Sequence, residues 1–366
     1  MRNKRIAIVG TRGVPARYGG FETFAEELGA RLVERGFEVT VFCEMTHGTV
    51  QPTEYRGMSL EYAKARRLGA LTTIVVDIAV LWSARKRFDV VYMLGYGASV
   101  FCFIPRLHGA EVWINMDGVE WQRSKWSWMA RVYLRMMESI AMRTPDRIIA
   151  DAFAIESHLR SRHRKVPRCS VIPYGAEIVT SAPPVALLDE WRVKACDYYI
   201  VVCRLEPENH VLEILTGLVA SSTKHSLLVV GDCQANTPYV RQLRLVKDRR
   251  VRLIGAVYDK VRLNALRYHA KGYFHGHSVG GTNPSLLEAM ASGNAIIAHD
   301  NVFNREVAAE AAMYFRCPGE IPAVLETLEM DANGLEHMRA SGIQRVKTNY
   351  SWHLVADRYE QLLRSQ

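Results

Sequence analysis

The sequence predicts an α/β protein built as two parallel-sheet halves of Rossmann type. Three observations lead there. Short runs rich in Val, Ile, Ala and Tyr alternate with longer stretches of helical periodicity, glycine-bearing loops follow directly on strand-like runs in both halves, and the rhythm breaks once near the middle.

Residues 6–9 read as the opening strand. In the helix that follows, from about Phe21, residues Phe21, Phe24, Ala25, Leu28 and Leu32 recur at helical spacing, and Gly36 supplies the stop. Residues 39–43, 90–94, 111–115, 147–150 and 170–172 read as further strands. The apolar run 68–84 is interrupted by Asp77 and flanked by Arg66, Arg67, Arg85 and Lys86, so it predicts a core-facing helix and not a membrane span. The pattern breaks around Pro173-Tyr174-Gly175-Ala176-Glu177 and Pro183-Pro184, then resumes with strands at 198–202, 227–230, 251–254, 273–275 and 295–298. Parallel sheets of this kind bind ligands at the carboxyl ends of their strands, which places the expected active site in a cleft between the halves.

At 366 residues the chain has room for two domains, and 49% hydrophobic content fits a globular protein. The first ten residues are basic but hold only a four-residue apolar run, which reads as a strand and not an export signal, so a cytoplasmic location is expected. Seven singly placed cysteines argue against a disulfide framework or a zinc site and read as reduced core thiols. The formal net charge of +9 favours anionic partners, without choosing among nucleotide phosphates, membrane and nucleic acid.

The most informative stretch runs from His275 to Met290, a glycine-rich loop leading into a helix. Asn283 or Thr282 can cap that helix and Pro284 suits its first position, so the amides after the proline, from Ser285 on, are expected to lack partners and attract phosphate. Gly280 and Gly281 let a diphosphate approach the backbone, and Glu288 lies just over a turn further in. An ordinary capped helix after a turn reads equally from these residues alone. Arg204 follows the first strand of the second half, where a guanidinium could meet phosphate oxygens or bridge to Glu206 or Glu208. In the first half, the loop Gly10-Thr11-Arg12-Gly13-Val14-Pro15-Ala16-Arg17-Tyr18-Gly19-Gly20 lacks dinucleotide spacing and suits a second substrate, or is a surface loop. Asp117 and Glu120 at a strand end could orient or deprotonate a hydroxyl, although Asp117-Gly118 is also a common turn.

Taken in order, the Gly19-Gly20 loop, the Ile172-Pro173-Tyr174-Gly175 hinge, the Arg204 loop and the helix start at Pro284 resemble the retaining nucleotide-sugar glycosyltransferases of the GT-B fold, family four. More narrowly, Gly10 to Pro15 with Tyr18 to Glu22, Asp117 to Trp121, and His275 to Ser285 resemble the bacterial rhamnosyltransferases of cell-surface polysaccharide synthesis. The resemblance implies GT-B architecture, two Rossmann-like domains facing across a cleft: 1–178 for the acceptor, 179–348 for the nucleotide sugar, and 349–366 as a helix crossing back. It implies transfer of L-rhamnose from dTDP-L-rhamnose, with retention, to a lipid-linked saccharide, and no cofactor or catalytic metal. The donor would meet Arg204, Asn209, Tyr258, His277, Gly280, Gly281, Thr282, Asn283, Ser285 and Glu288. Asp117, Glu120 and Arg204 would be catalytic, and the acceptor would lie near Arg12, Gly13, Arg17, Gly19 and Gly20. Two residues depart from the broad family, which usually has glutamate where this chain has Gly280 and lysine where it has Asn209. Diphosphate neutralisation would then rest on Arg204 and amides, or on Arg12 or Arg17.

Trp121, Trp126, Trp128 and Tyr133 interleave with Arg123, Lys125, Arg131 and Arg135, ahead of a basic run at 160–168. This pattern reads as peripheral contact with an anionic membrane, or as aromatic core beside a solvated face. A UDP- or GDP-linked hexose donor and a non-catalytic saccharide- or nucleotide-binding subunit stand as alternatives. No nucleic-acid motif is present, and neither half has the glycine spacing of a dinucleotide oxidoreductase.

Overall fold

The computed structural model describes residues 3–16, 19–45, 51–64, 72–116, 118–123 and 125–365. The chain divides into two compact units. The first comprises Met1–Gln122, Trp126–Tyr174 and Trp352–Gln366, and the second Arg123–Lys125 and Gly175–Ser351. The change of unit at 174/175 precedes residue 178 because Ala176 donates its amide to Tyr350 O (2.8 Å) and pairs with Ser351.

In the first unit the strands are β1 (Arg5–Val9), β2 (Glu38–Glu44), β3 (Glu54–Tyr55), β4 (Met58–Ala63), β5 (Val90–Leu94), β6 (Glu111–Met116), β7 (Arg147–Ala150) and β8 (Arg168–Val171), in the order β3-β4-β2-β1-β5-β6-β7-β8. Among the described residues, only the β3–β4 pair is antiparallel. β1 and β5 are almost wholly buried, as strands covered by helices on both faces must be. The helix Gly20–Glu34 ends where Gly36 (φ +87°) and Phe37 donate back to Val33 O and Leu32 O, a left-handed glycine stop. The last helix, Trp352–Arg364, packs on it, with Trp352 and Tyr359 against Phe24. Tyr359 and Tyr92 share a buried hydroxyl contact of 2.7 Å, extended by Asn115 Nδ2 to Tyr92 (3.0 Å).

The second unit holds β9 (Tyr198–Val202), β10 (Ser226–Val230), β11 (Val251–Gly255), β12 (Gly272–His275), β13 (Ala295–His299) and β14 (Ala312–Phe315), all parallel, in the order β11-β10-β9-β12-β13-β14. This is the doubly wound 3-2-1-4-5-6 order, whose direction reverses between β9 and β12. Loops leaving the carboxyl ends of those two strands therefore diverge and leave a crevice in which side chains can converge.

β3, β4 and β14 were not legible in the sequence, and one expectation, that the cysteines are core thiols, changes in part. Cys43 and Cys102 are buried thiols, but Cys196 and Cys317 are exposed. The apolar run begins its described helix at Thr72 and ends at Ala84, among the described residues. Asp77 of that helix is buried, and burial pushes its carboxyl up to about 7, with Glu44 acting in the same sense. Folded Asp77 thus keeps its proton over roughly pH 4–7, where an unfolded aspartate has lost it, so its contribution to stability is full below about pH 4 and is lost as pH rises through 7. Asp77→Asn is expected to be more stable than the natural protein at pH 8, with the difference shrinking towards pH 4. Urea unfolding at several pH values checks this, and a pH-independent difference would contradict it.

Candidate active site

The crevice of the second unit is built from the ends of β9 and β12. Beyond β9 the chain turns through Arg204, whose side chain is 57% exposed and stands 3.9 Å from Glu206 Oε1, a weak pairing that leaves the guanidinium available. The turn is held by Asn209, which is 4% exposed and donates Nδ2 to Arg204 O at 2.6 Å. Its Oδ1 lies 2.6 Å from His277 Nδ1, so both ends of the amide are used. Asn209 thus ties the turn after β9 to the loop after β12.

The loop after β12 is pinned to that turn along its length. A Cβ at Gly276 would fall 2.0 Å from Asn209 O, so only glycine permits this approach. Ser278 donates through both N and Oγ to Glu208 O (3.0 Å each), and His210 Nε2 lies 3.1 Å from Ser278 Oγ. The carbonyl of His277 accepts from Asn301 Nδ2 (3.0 Å) and Asn304 Nδ2 (2.9 Å). Burial, and then His275, Arg123 and Arg204, hold the His277 imidazole well below its ordinary range against an opposing contribution from the Val279 carbonyl. His275 is likewise held down to about 3 by burial and His299, so both rings are neutral at pH 7. Among the described residues, no group of three or more His, Cys, Asp or Glu is placed to hold a metal ion.

The helix start departs from expectation. Asn283 caps it, its Oδ1 accepting from Ser285 N at 2.9 Å, while Leu286 N and Leu287 N donate to Asn283 O (3.1 and 3.2 Å). The amides after Pro284 are thus already satisfied, because the cap residue takes the one left over by the helix. Ser285 Oγ donates to Val202 O (2.8 Å) and contacts Tyr273, which turns it into the sheet. Thr282, Gly280 and Gly281 are buried, and for the amides of the two glycines no partner occurs among the described residues, which leaves them as unpaired donors. Glu288 reaches the edge of the crevice and pairs at 2.6 Å with Arg267, a 4%-exposed arginine from the helix Lys260–Tyr268. Tyr258 is exposed after Gly255 at the end of β11.

Arg17 and Asp117 lie outside the described residues. In the first unit Arg12 O accepts from Glu44 N, and a Cβ at Gly13 (φ +123°) would meet Cys43 Sγ at 2.6 Å. Gly13 thus packs closely on β2, where a side chain would not fit. Gly19 caps the helix that begins at Gly20. Glu120 accepts from Trp126 Nε1 at 3.0 Å, and its amide donates to the Tyr96 hydroxyl (3.1 Å).

Three of the four aromatics read as membrane anchors are engaged within this unit. Trp121 lies between Arg135 and Arg162 and donates to Glu138, Trp126 donates to Glu120, and Tyr133 donates to Gly97 O. Glu138 is buried and also meets Arg162 (2.9 Å) and His163 (3.0 Å). Burial alone would raise its carboxyl, yet hydrogen bonds from His158, His163 and Trp121 hold it at about 2. Trp128 alone of the four is exposed.

Residues 3–177 match a family described as "Domain of unknown function (DUF1972)". No curated protein sequence matches the chain significantly. Among solved structures, sucrose-phosphate synthase from Thermosynechococcus elongatus superposes with a TM-score of 0.83 at 18% identity, covering 99% of each chain. HepE of Anabaena, in complex with UDP-glucose, gives 0.80 at 16% identity over 100% of each chain. The chain has the GT-B fold. A glycosyltransferase from Rickettsia africae aligns with a TM-score of 0.75 at 13% identity, over 99% of this chain and 98% of that one.

Proposed function

We propose that the protein is a retaining, nucleotide-sugar-dependent glycosyltransferase that moves L-rhamnose from dTDP-L-rhamnose to a lipid-linked saccharide in cell-surface polysaccharide synthesis. The observation that carries the reading is the convergence of Arg204, the unpaired Gly280–Gly281 amides and the Arg267-held Glu288 at the switch point between β9 and β12. A nucleotide sugar presents a diphosphate flanked by two sugars, and this crevice offers a cation with amide donors flanked by hydrogen-bonding groups. Arg204 and the two amides would stabilise the charge that grows on the departing diphosphate. Glu288, its carboxylate fixed by Arg267, would accept from the 3′-hydroxyl of the donor's deoxyribose, and Tyr258 would border the base. The first unit would receive the acceptor, with Glu120 and Asp117 orienting its hydroxyl and Arg12, Arg17, Gly19 and Gly20 nearby. No cofactor or catalytic metal enters this scheme. The motifs from Gly10 to Glu22 and from His275 to Ser285 favour rhamnose, while the likeness to HepE, solved with UDP-glucose, favours a uridine-linked hexose as the second reading.

Peripheral contact with an anionic membrane from the cytoplasmic side belongs to the same proposal. Trp128, Met129, Val132 and Met136 fall on one face of the helix Trp128–Ala141 and are all exposed. Exposed Arg135 stands on that helix and exposed Arg143 just beyond its end, where Arg106, paired with Asp146 (2.9 Å), donates to Thr144 O (3.2 Å), so cations flank an apolar face, the arrangement that favours anionic lipid.

Two outcomes follow. In a thermal-shift panel of dTDP-, UDP- and GDP-sugars, dTDP-L-rhamnose is expected to raise Tm most, since ligand at a hundred times Kd adds about 2.7 kcal/mol. Arg204→Ala should lose most of that shift and nearly all release of nucleoside diphosphate, and an unchanged response would exclude Arg204 as the diphosphate ligand. The protein should sediment with phosphatidylglycerol vesicles at low salt, and the double variant Val132→Asp, Met136→Asp should not. Equal behaviour of the two would exclude this face.

A further inference from the structure

His277 sits where its protonation pattern is dictated by its neighbours. A carbonyl oxygen only accepts, so the group of Asn209 within 2.6 Å of Arg204 O is the NH2. Turning the amide over would press two oxygens together. The Asn209 atom facing His277 Nδ1 at 2.6 Å is therefore the oxygen, and Nδ1 must carry the ring's proton. The ring is neutral, so Nε2 holds a bare lone pair. Its orientation is fixed as well, because two asparagines, Asn301 and Asn304, grip the His277 carbonyl.

Nε2 points towards Gly280. A Cβ built at Gly280 would stand 2.8 Å from it, and the backbone there, at φ +149°, disfavours any residue with a side chain. The missing side chain thus keeps the approach to Nε2 open, beside the two glycine amides. A lone pair cannot bond to an ionised phosphate, whose oxygens also only accept. It requires a partner with a hydrogen to give, and beside the diphosphate a nucleotide sugar has hydroxyls on its pentose, which the proposed site assigns to Glu288, and on its hexose, which is left for Nε2.

We infer that His277 Nε2 accepts a hydrogen bond from a hydroxyl of the sugar being transferred, in a recess kept open by Gly280. The inference rests on the reading of this crevice as a nucleotide-sugar site. It assigns His277 to sugar selection and separates it from Arg204 and the amides, which serve the diphosphate. A neutral acceptor has a physical advantage here, since a carboxylate in its place would repel the diphosphate and compete for Arg204. Donors whose corresponding hydroxyl is methylated or acylated lose the hydrogen bond and collide with the recess.

The test is a comparison of affinities by calorimetry for two pairs of ligands, dTDP with dTDP-L-rhamnose and UDP with UDP-glucose, on the natural protein, on His277→Asn, whose amide N–H can still donate to Asn209 Oδ1 while Nε2 is lost, and on Gly280→Ala. Gly280→Ala retains the histidine and places a methyl group against Nε2, so it covers the acceptor even if the ring substitution disturbs folding. For whichever pair the natural protein binds, His277→Asn is expected to hold the bare diphosphate within about twofold, whereas Gly280→Ala, which strains an amide assigned to the diphosphate, is read by how much more it weakens the nucleotide sugar than the diphosphate. Relative to the diphosphate, both variants should bind the nucleotide sugar about five- to fiftyfold more weakly than the natural protein does, the range for losing one hydrogen bond to a buried acceptor. Equal weakening of diphosphate and nucleotide sugar would overturn the inference by making His277 a support for the phosphate loop, and so would nucleotide-sugar binding unchanged in both variants. Failure of the natural protein to bind any of the four ligands would instead overturn the underlying reading of the crevice, and the inference with it.

Discussion

The donor crevice depends on one buried amide. Asn209 joins the backbone of the turn after β9 to the imidazole that follows β12, two segments nearly seventy residues apart in sequence. Both hydrogen bonds lie in a place from which water is largely excluded, where an unmade bond costs about 1–3 kcal/mol, so the two loops are locked together and not merely adjacent. The contact of Gly276 with Asn209 O and the bonds of Ser278 to Glu208 O extend this seam. Arg204, projecting from one side of it, and Gly280, lying on the other, thereby hold a fixed separation without touching each other.

This seam explains why the crevice can present unpaired amides at all. A helix N-terminus ordinarily offers its first amides to an anion. Here Asn283 has already claimed that role at Pro284–Ala291, and the unpaired donors have moved upstream to Gly280 and Gly281. Those residues can stay unpaired because Asn301, Asn304 and Asn209 hold the loop through their side chains at His277, and Ser278 N holds it to Glu208 O. Electrostatic preorganisation of this kind needs no reorganisation when charge develops on a bound diphosphate.

How much of this was legible in the sequence follows from where each signal resides. Val90–Leu94 and Tyr198–Val202 are continuous apolar runs because strands covered on both faces have no polar side to show, and they were read correctly to the residue. Met58–Ala63 mixes Ser59 and Glu61 with apolar residues near the sheet edge, and Ala312–Phe315 is a four-residue edge strand, so neither stands out from a loop. The glycine-rich loop and the Asn283-Pro284 cap were legible because turns and caps are local chemistry. Arg267 was not, since in its helix it looks like any surface arginine, and only the fold brings it against Glu288. The double use of Asn209 was hidden for the same reason. Its residue type is compatible with a ligand contact, and its burial is a tertiary property. The aromatic and basic segment 121–135 was ambiguous as sequence because Trp121 beside arginines describes a cation–π clasp and a lipid anchor equally well.

The most direct measurement is a crystal structure of the protein with a bound nucleoside diphosphate sugar. The account predicts the pyrophosphoryl group within hydrogen-bonding distance of Arg204 and of the Gly280 and Gly281 amides, with Glu288 on the pentose. A nucleotide lodged elsewhere, or a diphosphate held without Arg204 and those amides, would contradict it.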